Sequence, residues 1–180
     1  MTDDFTRLTH ALSTGGVAVV RTDTLYGIIA LSANESAVEK VYQVKRRDPT
    51  KQCIILIADA GSAPEYAEDI ATYSKPEMRP TSVVVPASNE PEWLLRGGNS
   101  IAYRVVRDPF LKRVVEAVGP VIAPSANPEG LAPARTITEA KEYFGDQIDC
   151  YVDGGEVPVE VPASRIVEVL RDGATIIIRP

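Results

Sequence analysis

The sequence predicts an α/β fold: a twisted mixed sheet flanked by helices, with a groove open at the strand ends. Three observations carry this. Short β-branched runs at residues 17–20, 53–57 and 121–123 alternate with segments of helical periodicity. Polar clusters follow directly on those runs, where open α/β sheets place their ligands. No repeat, low-complexity tract or linker divides the 180 residues, so 1–180 is read as one domain.

Residues 3–13 carry Phe5, Leu8 and Leu12 at helical spacing, and Gly15-Gly16 ends that helix. Residues 17–20 read as a buried strand running into a polar segment, Arg21-Thr22-Asp23-Thr24-Leu25-Tyr26-Gly27. Residues 35–45 place Ala37, Val38, Val41 and Val44 on one stripe, with Asn34 as the N-cap. Residues 53–57 form the next strand and 66–73 a helix. Strands at 82–85 and 101–106 enclose Trp93-Leu94-Leu95. Asp108-Pro109 starts a helix, a capping carboxylate followed by proline, and Gly119-Pro120 ends it after Val118. Residues 121–123 are a short strand that delivers Pro124-Ser125-Ala126-Asn127 at its end. Thr136 and Glu139 have capping-box spacing for a helix to Phe144. Segments 148–152, 165–170 and 174–178 close the sheet, the last two joined by a turn at Asp172-Gly173.

Composition removes several functional classes. The start of the chain is acidic and no apolar run has the length of a membrane span, so a cytoplasmic protein without membrane contact is expected. Cys53 and Cys150 stand alone, without the spacing of a zinc site or disulfide framework. His10 is the single histidine, which argues against a histidine-based triad or metal centre. A net charge of −6 disfavours an extended grip on nucleic acid.

Three segments remain as candidate chemistry. In Arg21 to Gly27, hydroxyl and carboxylate groups follow a buried strand and suit a small polar ligand; a capped turn would read the same way. Lys45-Arg46-Arg47-Asp48-Pro49-Thr50-Lys51 sets four cations at a helix C-terminus. They answer the helix dipole, or they form a phosphate clamp. Ser125 and Asn127, two apart on extended backbone, point the same way. Arg104 in an otherwise apolar strand requires a carboxylate or an anionic ligand.

Taken in order, these segments resemble the YrdC/TsaC family. Arg21 to Gly27 is similar to that family's P-T-[DE]-T-x-Y-G, Lys45-Arg46-Arg47 to its K-x-R, and Ala123 to Gly130 to its A-[PT]-S-A-N-x-x-G. The resemblance implies a YrdC-like domain, a cytoplasmic nucleotidyltransferase joining L-threonine, bicarbonate and ATP, with Mg²⁺, into threonylcarbamoyl-AMP for tRNA modification. It implies Lys45 and Arg47 as electrostatic catalysts. ATP would be bound by Lys45, Arg47, Ser100, Ala123, Ser125, Asn127, Arg135 and Arg179. Threonine would be bound by Thr22, Thr24, Tyr26, Arg104, Ser125 and Ser164. It further implies hand-over to a tRNA-modifying transferase complex, with tRNA contact as part of that expectation; metal ligands are not assigned. The sequence departs from the family pattern at Arg21, where proline is usual, at Gln52-Cys53, and at Glu129, where a hydroxyl is usual. A further departure is Arg79-Pro80-Thr81-Ser82-Val83, where the family has G-P-x-T-x-[IV]. The departures keep open a YciO-type paralogue with another substrate, and the 45–51 patch keeps open an RNA-binding module.

Overall fold

The computed structural model describes residues 3–87, 89–170 and 172–180. Helix α1 (Asp4–Ser13) starts at Asp3, whose carboxylate accepts from the Thr6 N–H at 2.7 Å. Helix α2 (Glu35–Lys45) is capped by Asn34, which accepts from Ala37 N–H at 3.0 Å. Helices α3 (Ala67–Tyr73) and α4 (Glu92–Leu95) are short. Helix α5 (Pro109–Val118) opens on the expected Asp108-Pro109 pair, and α6 (Ile137–Phe144) on Thr136.

Nine strands among the described residues form one sheet: β1 (Ala18–Arg21), β2 (Tyr26–Leu31), β3 (Ile54–Ile57), β4 (Thr81–Pro86), β5 (Ser100–Val105), β6 (Val121–Ile122), β7 (Cys150–Tyr151), β8 (Arg165–Val169) and β9 (Thr175–Arg179). Their spatial order is β7-β1-β2-β6-β3-β5-β4-β8-β9. The β1/β7, β3/β5 and β4/β8 pairs are parallel and the others antiparallel, so the sheet is mixed.

Alternation across the pleat divides the core in two. Val19, Ile28, Ile55, Val83 and Val167 pack with Val38 and Val41 of α2 and Phe144 of α6. Ala18, Val20, Ile29 and Leu56 pack on the opposite face with Leu8 and Leu12 of α1 and Leu111 and Val114 of α5. That second cluster takes nothing from β4 or β8. On that face, beyond β3, the sheet presents Ser82, Arg104, Ile166 and Arg179 instead of an apolar layer. The groove is the part of this face that α1 and α5 leave uncovered.

The polar segment after the first strand differs from expectation. Arg21 and Tyr26 are register partners in an antiparallel hairpin, so only residues 22–25 form its connection. The strand β2 carried no period-two signal because every residue from Tyr26 to Ala30 is buried, on one face or the other. Gly27 lies within it because a Cβ there would meet Thr22 Cγ2 at 3.2 Å and Pro124 O at 3.3 Å.

Candidate active site

The hairpin connection is tightly wound. Thr22 donates both its N–H (3.0 Å) and its hydroxyl (2.8 Å) to Leu25 O. The Thr22 and Thr24 hydroxyls lie 3.3 Å apart. Asp23 points the other way, its Oδ1 accepting from the N–H groups of Arg107 (2.9 Å) and Asp108 (2.7 Å). It thus holds the start of α5 against the hairpin. Its Oδ2 faces Arg104 Nε at 3.8 Å. Arg104 also donates from Nη2 to Thr22 Oγ1 at 3.4 Å. Burial pulls the Arg104 pKa down, and the Asp23 charge opposes that.

The basic segment is not a solvated stripe. Lys45, 2% exposed, turns inward and donates from Nζ to the carbonyls of Ser125 and Asn127. Burial first, and then the neighbouring Arg47 charge, lower its pKa to about 8. Arg46 caps α2 in the left-handed region with φ 52°, which turns the chain so that Arg47 faces the groove. Arg47 donates to Lys51 O (3.1 Å) and Gln52 O (2.8 Å). Lys51 pairs with Glu129, whose other oxygen accepts from Asp48 N–H. The glutamate in the Ser-Ala-Asn segment therefore turns outward, to a cation of the same basic segment. Its pKa is lowered by those two hydrogen bonds, the Lys51 bond being the larger cause.

The segment after β6 is laid along β2. Ile28 N–H donates to Pro124 O (3.0 Å), and Ala126 N–H to Tyr26 O (2.8 Å). Ser125 Oγ donates to Asn127 Oδ1 at 2.6 Å, and Asn127 Nδ2 to Leu131 O at 2.7 Å. Residues 152–164 then run without strand or helix between β7 and β8. Arg135 donates to Pro158 O on this stretch. At its far end Ser164 lies 3.1 Å from Ser82 Oγ and accepts from both Nε and Nη2 of Arg179.

These elements enclose a cavity of about 290 Å³. Of the residues singled out in the sequence, Thr22, Thr24, Tyr26, Arg47, Arg104, Ala123, Ser125, Ser164 and Arg179 line it. Lys45 and Asn127 sit directly behind Ser125, joined to it as described. Ser100 and Arg135 lie outside the lining: Ser100 offers its carbonyl to Gln52 Nε2 at 2.7 Å, and Arg135 faces the 157–158 backbone. The sequence offered the Asp23 carboxylate as a ligand contact, whereas it lies outside the lining and braces α5 and Arg104. The apolar part of the wall, Ile54, Pro133 and Ile166, carried no signal because its residues are scattered along the chain.

The cavity is lined by three arginines and no carboxylate, although the chain carries a net charge of −6. With the lysine behind it, it is a local well of positive potential fitted to an anionic ligand.

Comparison with known proteins gives a consistent picture. A family model described as "Telomere recombination", built on Sua5, YciO and YrdC, matches residues 10–180. A Marinobacter nauticus protein named threonylcarbamoyl-AMP synthase is 32% identical over 166 residues, 87% of this chain and 86% of that protein. One of the same name from Halorhodospira halophila is 33% identical over 178 residues, 93% of this chain and 90% of that protein. Among solved structures, P. abyssi Sua5 complexed with L-threonine superposes with a TM-score of 0.86 at 26% identity. That match covers 100% of this chain and 55% of the Sua5 chain. E. coli YciO shares the fold, with a TM-score of 0.82 over 97% of this chain and 87% of its own, at 18% identity.

Proposed function

This chain belongs to the Sua5/YciO/YrdC family, and from that premise we propose that it is an L-threonylcarbamoyladenylate synthase. It is a nucleotidyltransferase making threonylcarbamoyl-AMP and pyrophosphate from L-threonine, bicarbonate and ATP. The observation that carries the reading is the cavity itself, with Arg47, Arg104 and Arg179 in its wall, hydroxyls beside them and no acid. Both substrates bring negative charge to it, a carboxylate and a triphosphate.

In this reading the threonine amine condenses with bicarbonate, losing water, to give a carbamate. A carbamate oxygen attacks the α-phosphorus of ATP and pyrophosphate leaves. No protein nucleophile is required, which suits a chain whose one histidine, His10, lies on α1 outside the cavity lining. Thr22, Thr24, Tyr26 and Ser164 orient threonine, with Arg104 pairing its carboxylate. Lys45, Arg47, Ser125 and Asn127 hold the nucleotide, Lys45 and Arg47 stabilising charge that develops at phosphorus. Arg179 and Ala123, both in the lining, are assigned to ATP in this reading, and Ser100 and Arg135 to a wider nucleotide surface. Positioning of this kind is capable of about 7–11 kcal/mol of barrier lowering. Among the described residues no three His, Cys, Asp or Glu side chains gather into a metal cage. The residues do not fit a resident metal, and Mg²⁺ enters as the counter-ion of ATP, held by phosphate and water.

Two features favour this reading over its rivals. Neither Arg21 nor Glu129 lines the cavity, so these two departures from the family pattern put no new side chain into the substrate wall. The basic segment is spent on internal contacts through Lys45, Arg47 and Lys51, which weakens the case for an RNA-binding stripe. No helix among the described residues is long and apolar enough to cross a membrane. We place the activity in the cytoplasm, on residues 1–180 acting as one domain, with the product passed to a tRNA-modifying transferase complex.

The test is pyrophosphate release from ATP with Mg²⁺ and bicarbonate, with and without L-threonine, for the wild type and Lys45→Ala. Threonine-dependent release that collapses in the variant is the expected result. Folded, ATP-binding protein whose release ignores threonine would sink the reading in favour of a paralogue with another substrate.

A further inference from the structure

Arg21 stands where the resembled family has proline, and the hairpin gives it a task. Its Nη1 donates to Gly154 O at 2.9 Å. Its register partner Tyr26 grips the same turn, the phenol oxygen accepting from Gly154 N–H at 2.9 Å and donating to Gly155 O at 2.8 Å. Two residues paired across one hairpin thus hold the peptide groups on both sides of Gly154. The fit is close: a Cβ on Gly154 would lie 2.6 Å from Arg21 Cβ. Gly155, at φ +79°, makes the turn that presents both groups to the hairpin.

This turn begins the irregular stretch 152–164, which has few bonds of its own to keep it in place. Val152 N–H donates to Val19 O at 3.0 Å and Val157 N–H to Arg135 O at 2.8 Å, and between and beyond these points arginine side chains hold its carbonyls. Arg21 holds Gly154 O, Arg135 holds Pro158 O, Arg79 holds Ala163 O and Arg179 holds Ser164 O. Arg179 lines the cavity and Arg135 belongs to the proposed nucleotide surface. Arg21 is behind the hairpin, outside the cavity lining, and can hold the turn with substrate bound or absent. Tyr26 meanwhile is among the residues that line the cavity, and its hydroxyl is fixed by the turn that Arg21 fixes.

We propose that Arg21 is a positioning residue for threonine: through the Gly154–Gly155 turn it fixes the Tyr26 wall and the strap that delivers Ser164. This rests on the synthase reading above. The experiment compares wild type, Arg21→Ala and Arg21→Lys by steady-state kinetics, threonine calorimetry and amide hydrogen exchange over residues 153–157. Arg21→Ala should raise threonine KM about tenfold, the weight of one charge-assisted hydrogen bond, with a smaller change in kcat and in ATP KM. Exchange over the turn should rise with it. Arg21→Lys, which keeps the stem and one donor, should recover most of both, and supplies the comparison if the alanine variant folds poorly. Unchanged threonine KM overturns the proposal whether or not exchange rises, and so does raised KM with the turn still protected. Wild type that binds no threonine overturns the proposal and the synthase reading together. An active wild type beside an indistinguishable Arg21→Ala overturns the anchor alone.

Discussion

Arg104 Nε lies 3.8 Å from Asp23 Oδ2, with both side chains about 95% buried and neither atom hydrogen-bonded. The pair is a charge contact without a shared proton. Each group keeps a buried polar atom without a hydrogen bond, and Arg104, which lines the cavity, can be completed there by a ligand carboxylate. Removing Asp23 strips Arg104 of its buried counter-charge and frees two N–H groups at the start of α5. Asp23→Ala should cost about 3–5 kcal/mol of stability, the usual penalty for breaking a buried pair on one side. Denaturant unfolding reads it. Because an anion can replace the lost charge, saturating threonine should restore more stability to the variant than to the wild type. A variant within 1 kcal/mol of wild type would show that the pair contributes little.

Lys45 is fixed between two backbone carbonyls, which is a demand on shape as well as charge. Lys45→Met keeps much of the stem and should lower threonine-dependent pyrophosphate release about 10²–10³-fold, the scale of losing one preorganised electrostatic contact. Lys45→Arg should rescue little, since a planar guanidinium does not fit where a compact ammonium sits at 2% exposure. Full activity in Lys45→Arg would show that charge alone is required.

Much of this was legible in the sequence, for identifiable reasons. Asn34, Asp108 and Thr136 each cap the helix expected of them, because capping is decided by residues within one turn. Strand β2 was not legible, because its residues are buried on both faces and Gly27 interrupts the run. At the site, the hydroxyl and basic motifs announced themselves by type and spacing. What they touch did not. That Glu129 meets Lys51, seventy-eight residues away, and that Arg135 turns to Pro158 are consequences of packing.

The Glu129–Lys51 clasp is exposed and should matter for binding more than for folding. In the synthase reading Glu129→Gln leaves Lys51 free next to Arg47, which lines the groove. Its thermal midpoint should stay at the wild-type value while KM for ATP falls severalfold at low salt. The two proteins should converge near 1 M salt, where screening acts within ~3 Å. An ATP KM that rises instead would mean that the clasp shapes the site and does not compete for the cation.

Gly27 tests how closely the hairpin and the Pro124–Asn127 segment approach. Alanine there places a methyl 3.2 Å from Thr22 Cγ2 and 3.3 Å from Pro124 O, the latter a backbone atom that cannot rotate away. Gly27→Ala should destabilise by about 1–3 kcal/mol, the range of overpacking a tight interior. It should also impair both substrates, since Thr22 and Ser125 flank the contact. Wild-type kinetics in this variant would show that the segment has slack.

The lowered pKa of Lys45 separates binding from folding along the pH axis. The folded protein gives up this proton at about 8, whereas an unfolded chain keeps it to the ordinary lysine value of 10.5. Between those values the unfolded state binds more protons, so this group alone makes stability rise with pH. In the synthase reading nucleotide affinity moves the opposite way, because the cation held behind Ser125, at the proposed nucleotide subsite, is being neutralised. Bound phosphate favours the charged lysine and shifts the break upward, so affinity should begin to fall at or somewhat above pH 8. Titrating a non-hydrolysable ATP analogue at intervals from pH 7 to 9.5, with a thermal midpoint at each, checks both signs. Weakening affinity with a steady or rising midpoint is the expected pattern. Affinity that falls only in step with the midpoint would assign the loss to unfolding and remove Lys45 from the account. In Lys45→Met the break should disappear, leaving an affinity that is low at every pH.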